Sequence, residues 1–411
     1  MEKLLDVRNM QVSFRSGKTG VQAIRDASFT VNEKEIMAIV GESGSGKSVL
    51  TQSCLRLIAS PPGHIDGGEV WFEGQDLMKL NERQLQKLRG REISVIFQDA
   101  MTALNPTMRI GDQIIETLLE HFRVSRHEAQ GLADEVLRVR DDPTQVERWL
   151  LRTLRPTESQ LEDDLHTLRE LLKGSGPRED ISAWVAVRGT MTRAQAEQEA
   201  VQLLKSVRIP DPEKRMSQYI FQCSGGMRQR VMIAMALSCR PRLVIADEPT
   251  TALDVTIKAE ILDLLTELIR RLGTSVILIT HDLGTVASYA DRIGVMYGGQ
   301  FMEQGTSRQI FYETLHPYTL GLMEAVPRLD LPHSQKLTTI PGNPPNLYHM
   351  PAGCPFSTRC GFCMEICKQK QPPEKDVGGH SVRCWLYDER AAQQKARFDR
   401  EKEHVHGRHN D

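Results

Sequence analysis

Eight consecutive residues, Gly41-Glu-Ser-Gly-Ser-Gly-Lys-Ser48, match the spacing G-x-x-x-x-G-K-[ST]. The glycines let backbone N–H groups curl around phosphate oxygens, Lys47 can reach the outer phosphates, and the Ser48 hydroxyl can ligate Mg²⁺. Gly41, Ser43, Gly44, Gly46, Lys47 and Ser48 are therefore candidate nucleotide contacts. A second set is Leu243-Val-Ile-Ala-Asp247-Glu248. An apolar strand there would deliver two adjacent carboxylates to the sheet edge where ligands bind in open α/β folds. Asp247 suits Mg²⁺ through its water shell, and Glu248 suits polarising an attacking water. Between the two lies Cys223-Ser-Gly-Gly-Met-Arg-Gln-Arg230 at the start of an amphipathic helix. Ser224, Gly225 and Gly226 would present a hydroxyl and free N–H groups to an anion. Helix capping accounts for Ser224 but not for two following glycines, which weaken a helix start. His281, after Val276–Thr280, reads by itself as a structural histidine.

These groups need elements to position them. Residues 4–40 alternate as short strands (Leu4–Phe14, then Ala27–Val31) and end in the apolar run Ile36–Val40, which leads into the glycine loop and a helix. Strand, loop, helix is the setting a phosphate loop requires, and a glycine-rich turn without nucleotide would lack it. Another buried strand spans Ile93–Gln98. Helical periodicity runs from Ile110 to about Val207, interrupted by a polar, charge-mixed stretch at 139–191. Within it, Leu150–Leu172 has the spacing of a surface helical hairpin. From Ser224 to Ile293 helices (Met227–Leu237, Ile257–Leu272) alternate with buried strands (Leu243–Ala246, Ser275–Thr280), which predicts a mostly parallel sheet with covered faces. The expected units are a core of 1–105 and 206–299, a helical subdomain of 106–205 carrying the 139–191 insertion, an extension of 300–387, and a charged tail of 388–411.

Bulk properties narrow the function. Lys plus Arg number 52 and Asp plus Glu 54 in 411 residues, without the basic excess of a nucleic-acid protein. Apolar runs are strand-length, far short of the ~20 residues of a membrane span. The N-terminus reads as a strand, not a signal peptide. The chain is thus expected to stay in the cytosol and meet a membrane only through a partner. Five of the 8 cysteines fall between Cys354 and Cys384, among prolines and glycines. In a reducing compartment that clustering points to a metal before disulfides. Cys54, Cys223 and Cys239 sit in core or helix patterns and read as packed small hydrophobes. His404, His406 and His409 read as part of a solvated tail.

In order and spacing, these motifs resemble the ABC ATPases: the phosphate loop, Gln98 as Q-loop, Ser224-Gly-Gly226 as signature, Asp247-Glu248, Ala252-Leu-Asp254 as D-loop and His281 as switch histidine. Phe14 stands where that family places an aromatic against adenine. The resemblance implies an α/β P-loop ABC ATPase core with an antiparallel β subdomain, a helical subdomain and a Cys-containing C-terminal extension. It implies ATP as substrate, Mg²⁺ held by Ser48, Gln98 and Asp247, Glu248 as general base, and His281 at the γ-phosphate. Asp254 would join the nucleotide contacts. Two ATPase subunits would pair head-to-tail, each ATP lying between one phosphate loop and the opposite signature.

Longer runs resemble the oligopeptide and dipeptide permease ATPases, nearest the D type of the oligopeptide permeases. They are Ile96–Pro106, Gly225–Leu237, Ala246–Val255, His316-Pro-Tyr318, Ala325–Asp330 and Thr339–Asn346. The similarity spans the chain except 139–191, and departs at Tyr219-Ile-Phe-Gln-Cys223. It implies a peripheral subunit on the cytoplasmic face of a bacterial inner membrane. Its partners would be a second ATPase subunit in a heterodimer, two transmembrane permease subunits and, indirectly, an extracytoplasmic solute-binding protein. A nickel-chelate importer, a soluble ABC ATPase acting on nucleic acid or ribosomes, and a non-hydrolysing regulatory subunit are the rival readings. The same family shares a cysteine pattern matched by Cys354, Cys360, Cys367 and Cys384, which implies a 4Fe–4S cluster. Zinc and free thiols are the alternatives, and Cys363 is extra.

Overall fold

A computed structural model describes the chain apart from residues 1, 17–18, 157, 175, 252, 327–338 and 408–411. Its strands are β1 (Lys3–Ser16), β2 (Thr19–Asn32), β3 (Ile36–Val40), β4 (Gly63–Phe72), β5 (Gln75–Asp76), β6 (Ile93–Ile96), β7 (Leu243–Asp247), β8 (Ser275–Thr280), β9 (Arg292–Tyr297), β10 (Gln300–Thr306), β11 (Glu374–Asp376) and β12 (Ser381–Arg383). One antiparallel sheet has the order β2-β1-β4-β5, and the larger sheet runs β11-β12-β10-β9-β3-β8-β7-β6. The pairs β3–β8, β3–β9, β7–β8 and β6–β7 are parallel. β3 and β7 are buried throughout, as continuous apolar strands covered on both faces should be.

Register explains how distant motifs meet. Val40 pairs with Thr280, Asp247 with Ile279, and Ile96 with Ala246. The residues that follow, Gly41, His281, Glu248 and Gln98, therefore leave the sheet at one edge. The helices Ile110–His121, Arg193–Ser206, Gly225–Leu237 and Val255–Leu272 contribute Ile114, Ala200, Val231 and Ile261 to one core under this sheet.

The 139–191 stretch is more than a solvated hairpin. Helices Pro143–Thr153, Glu158–Lys173 and Pro177–Arg188 share a separate apolar core with the preceding helix Arg126–Arg138, including Ala129, Val136, Leu150, Leu168 and Val185. Arg155 ties this unit to the larger sheet. Its guanidinium donates to the carbonyls of Arg91 and Cys239 and pairs with Glu92, while Arg240 Nη1 donates back to the Arg155 carbonyl at 2.6 Å.

Nor does the sheet end at residue 299. Strands β10, β12 and β11 extend it. The residues expected as a charged tail form the helix Ala392–Gly407, whose Phe398 and Val405 are buried with Leu320, Phe362 and Leu386. Two apolar residues seven apart on a charged helix are enough to seat it. Of the three tail histidines, His409 and the side chains of His404 and His406 lie outside the described residues.

His316 illustrates what burial does in this seam. Its ring is buried beside Phe356, Nδ1 accepts from the Tyr318 N–H at 3.0 Å, and burial pulls its pKa from 6.5 down to about 3. Above pH 6.5 the imidazole is neutral in both folded and unfolded chains and contributes no pH dependence. Below it the unfolded chain takes a proton that the folded one refuses, so stability falls with acid until about pH 3. We expect wild type to lose about 1 kcal/mol more than His316→Asn for each pH unit below 6. Urea melts of both proteins between pH 7 and 5 check this, and parallel slopes would contradict it.

Candidate active site

The helix Lys47–Cys54 starts where the phosphate loop ends, and Gly46 precedes it in a left-handed conformation (φ 100°). A Cβ at Gly46 would lie 2.8 Å from Ile24 Cδ1 and 2.9 Å from the Ala23 carbonyl; one at Gly41 would lie 2.1 Å from the Met296 carbonyl. Only glycine fits this close approach. Ser43 and Gly44 form the exposed crown of the loop. Lys47 is buried, and Nζ donates to the carbonyls of Gly41 (2.8 Å) and Glu42 (3.0 Å). Burial lowers its pKa, opposed by the carboxylates of Glu248, Asp247 and Glu42.

Ser48 Oγ donates to Asp247 Oδ1 at 2.8 Å. Burial raises the Asp247 pKa, Ser48 opposes the shift, and the neighbouring Glu248 charge adds to it. A buried carboxylate crowded by another, with a hydroxyl on one oxygen, is a donor set suited to a hard cation such as Mg²⁺.

Glu248 is the centre of the site. Gln98 Nε2 (3.1 Å) and Thr251 Oγ1 (2.8 Å) both donate to its Oε2, and His281 Nδ1 lies 3.3 Å from Oε1. Burial alone would raise its pKa, but Thr251, His281 and Lys47 outweigh burial and hold it below the ordinary carboxylate value. Its backbone is left-handed (φ 44°) and its N–H donates to the Ile279 carbonyl at 3.0 Å. A glutamate in that conformation is strained, as residues at reactive positions often are. The arrangement is an ionised, aimed carboxylate beside a phosphate loop.

The expected residues do not all gather here. Ser224 caps the helix Gly225–Leu237, with Oγ accepting from the Met227 N–H at 3.4 Å. Added Cβ atoms at Gly225 and Gly226 would meet Leu253 and Ile257 at 3.4 and 3.2 Å, the segment that follows Glu248. Among the described residues no hydrogen bond joins Ser224–Gly226 to the loop. Asp254 is exposed at the start of Val255–Leu272, and Ala252 lies outside the described residues. Phe14 sits on β1 opposite Gly63. Thr251 and Glu42 were missed by motif reading. Thr251 lies within Asp-Glu-Pro-Thr-Thr, but nothing in a lone threonine marks it as a carboxylate's partner.

Among the described residues, no group of three or more His, Cys, Asp or Glu is arranged to hold a metal ion, so the iron–sulfur expectation is not met as the cysteines are placed. Cys354, Cys360, Cys367 and Cys384 do share one neighbourhood. Burial pushes the Cys354 and Cys360 thiols up to about 12, and Cys384 is raised by burial and then by the charges of Cys354, Cys360 and Cys367. Cys360 and Cys384 pack against the cluster of Phe362 and Leu386, and Cys354 and Cys367 are buried in the main core, as small apolar groups can be. Cys54, Cys223 and Cys239 are buried as expected.

Comparison with known proteins gives this geometry a family. Residues 24–251 match the family described as ABC transporter, and 302–367 match the oligopeptide/dipeptide transporter, C-terminal region. The chain is 42% identical to an oligopeptide transport ATP-binding protein of Bacillus subtilis, over 93% of this chain and 89% of that one. It is 42% identical to the dipeptide transport ATP-binding protein of the same organism, over 95% and 97%. The corresponding Escherichia coli oligopeptide protein is 41% identical, over 93% of each. In fold, the chain is similar to a dimeric ATP-binding cassette solved with ADP and Pi, with TM-score 0.53, 21% identity, and coverage of 74% of this chain and 99% of that one. No helix among the described residues is long and apolar enough to cross a membrane. The chain belongs to the ABC transporter ATPases, in the group that carries the oligopeptide/dipeptide transporter C-terminal region.

Proposed function

We propose that this chain hydrolyses ATP to drive import of peptides or peptide-like solutes, working on the cytoplasmic face of a bacterial inner membrane. The observation that carries the hydrolytic half is the Glu248 carboxylate, held by Gln98, Thr251 and His281 beside Lys47 and the Asp247–Ser48 pair. Similarity to oligopeptide and dipeptide transport ATP-binding proteins over nearly the full chain supports the solute class.

In this reading, the loop N–H groups and Lys47 receive the phosphates of ATP. Ser48 and Asp247, with Gln98, would hold Mg²⁺, which when bound neutralises charge developing on the phosphate oxygens. Glu248 accepts a proton from the water that attacks the γ-phosphorus, as the bond to the β-phosphate oxygen breaks to leave ADP and inorganic phosphate. Gln98 and Thr251 fix Oε2, and His281 faces the other oxygen. Ser224, Gly225 and Gly226 then serve the loop of a second ATPase subunit, in a heterodimer, which accounts for their separation from the loop in one chain. Two permease subunits and a solute-binding protein complete the assembly.

The test is reconstitution into vesicles with permease subunits, a second ATPase subunit and a peptide-binding protein. ATP-dependent peptide uptake is expected, abolished when this chain is omitted. Uptake of a nickel chelate in place of peptide would move the chain to the rival importer class, and ATPase activity indifferent to permease would remove it from transport.

The cysteines support a separate reading. Cys354, Cys360, Cys367 and Cys384 would ligate a 4Fe–4S cluster, with zinc as the alternative, if the four thiols draw closer than they are placed. Anaerobically purified protein should then be coloured and contain iron and sulfide, lost on changing any of the four to Ser but not Cys363. Colourless protein with stoichiometric zinc would favour zinc, and metal-free protein would leave four packed thiols.

A further inference from the structure

The phosphate loop is tied on one side to a segment more than three hundred residues later. Arg359 grips the Glu42 carboxylate with both arms of its guanidinium, Nη1 to Oε2 at 2.6 Å and Nη2 to Oε1 at 3.0 Å. The Arg359 side chain is 4% exposed and that of Glu42 24%. The guanidinium is itself immobilised: Nε donates to the Pro341 carbonyl (2.9 Å), Nη2 to the Ile340 carbonyl (3.3 Å) and Nη1 to Tyr297 Oη (3.2 Å). Glu42 is held a second time through its backbone, whose N–H donates to Tyr318 Oη at 2.9 Å. Tyr297, Tyr318 and Phe356 pack on one another with ring centroids 4.6–5.3 Å apart. The Glu42 carbonyl in turn accepts from Lys47 Nζ. A continuous path therefore runs from the C-terminal segment through Glu42 to the lysine that faces the phosphates.

We propose that Arg359 is a positioning residue for nucleotide. Through Glu42 it fixes the backbone of the loop 41–48 in the shape that Lys47 and the loop N–H groups need, so that the C-terminal segment sets ATP affinity. Arg359 has no place in the chemistry, because its five donors are spent on Glu42, Tyr297 and two carbonyls. A planar fork matches both carboxylate oxygens at once, which an ammonium cannot do. A loop already held in its binding shape gives up less conformational freedom when phosphate arrives. The proposal rests on reading this site as an ATPase.

The full-length protein is tested as Arg359→Gln, Arg359→Lys, Glu42→Gln and the Arg359→Gln/Glu42→Gln double variant, by calorimetric ATP affinity and steady-state kinetics. Each Gln variant should weaken ATP binding and raise KM about tenfold, within the usual span of coupled sites, while kcat changes much less. The double variant should be no weaker than either single one, because both remove the same pair. Arg359→Lys should recover only part of the loss. Thermal melts without nucleotide monitor folding, and Glu42→Gln, which changes the more exposed partner by one atom, keeps the test alive if Arg359→Gln does not fold. Unchanged affinity in a folded Gln variant, or additive losses in the double variant, would overturn the proposal. If wild type fails to bind ATP, the ATPase reading itself is at fault. If wild type binds and Arg359→Gln binds equally well, only the clamp is.

Discussion

Glu248→Gln should keep ATP binding and lose turnover by roughly 10²-fold or more, the usual size of a general-base contribution. The substitution preserves shape. An amide oxygen can still accept from Gln98 Nε2 and Thr251 Oγ1, and the strained backbone at φ 44° is unchanged. What disappears is the ability to take a proton. Because Thr251, His281 and Lys47 already hold the carboxyl below its ordinary pKa, it is ionised throughout the neutral range, and the loss should be as large at pH 6 as at pH 8. Steady-state turnover and calorimetric ATP affinity, measured on the same preparation at both pH values, separate the two effects. The variant should also accumulate as a closed, ATP-bound dimer, visible by size-exclusion chromatography. Turnover near that of wild type would remove Glu248 from the role of base.

The placement of these residues was largely legible because each piece is local. A glycine pattern between a strand and a helix, two carboxylates ending an apolar run, and a histidine ending another are statements about neighbours in the chain. Parallel pairing of buried strands then leaves few ways to arrange them, and Val40, Asp247 and Thr280 end at one edge by register alone. Four features were illegible for the opposite reason. The left-handed backbone of Glu248 is imposed by the sheet, since glutamate has no preference for it. The insertion's own Leu150, Leu168 and Val185 are buried together with Ala129, Ala133 and Val136, small residues on a helix that precedes it. Small residues carry little signal in a periodicity reading. The terminal helix looked like a solvated tail because Phe398 and Val405 are its only large apolar anchors in a charged sequence. Arg359 and Glu42, 317 positions apart, resemble ordinary surface residues until the fold brings them together.

Lys47→Ala should fail before chemistry, at nucleotide binding, with ATP affinity reduced by about 10²-fold or more. Truncating one member of a buried, hydrogen-bonded charge pair usually costs about 2–5 kcal/mol, and each 1.4 kcal/mol is a factor of ten. Two effects act in the same direction. The direct one is loss of the cation that faces the outer phosphates. The indirect one follows from the carboxylates around it: Asp247, Glu248 and Glu42 all act on Lys47 in the direction of keeping it charged, and without it Asp247 and Glu248 face an incoming polyanion with that cation gone, while Glu42 stays paired with Arg359. Asp247, whose pKa burial already raises, would rise further and take up a proton more readily, which weakens its fitness for a divalent cation. The loss should therefore be greater for ATP than for ADP, and should shrink as ionic strength screens the repulsion. Lys47→Arg separates the contributions, because it restores charge but not the fit of a compact ammonium between the Gly41 and Glu42 carbonyls. Calorimetry on the three proteins with ATP and ADP at two salt concentrations measures this directly. Equal affinity in wild type and Lys47→Ala would remove Lys47 from the phosphate site, and a loss identical for both nucleotides at both salt levels would remove the electrostatic argument while leaving the contact.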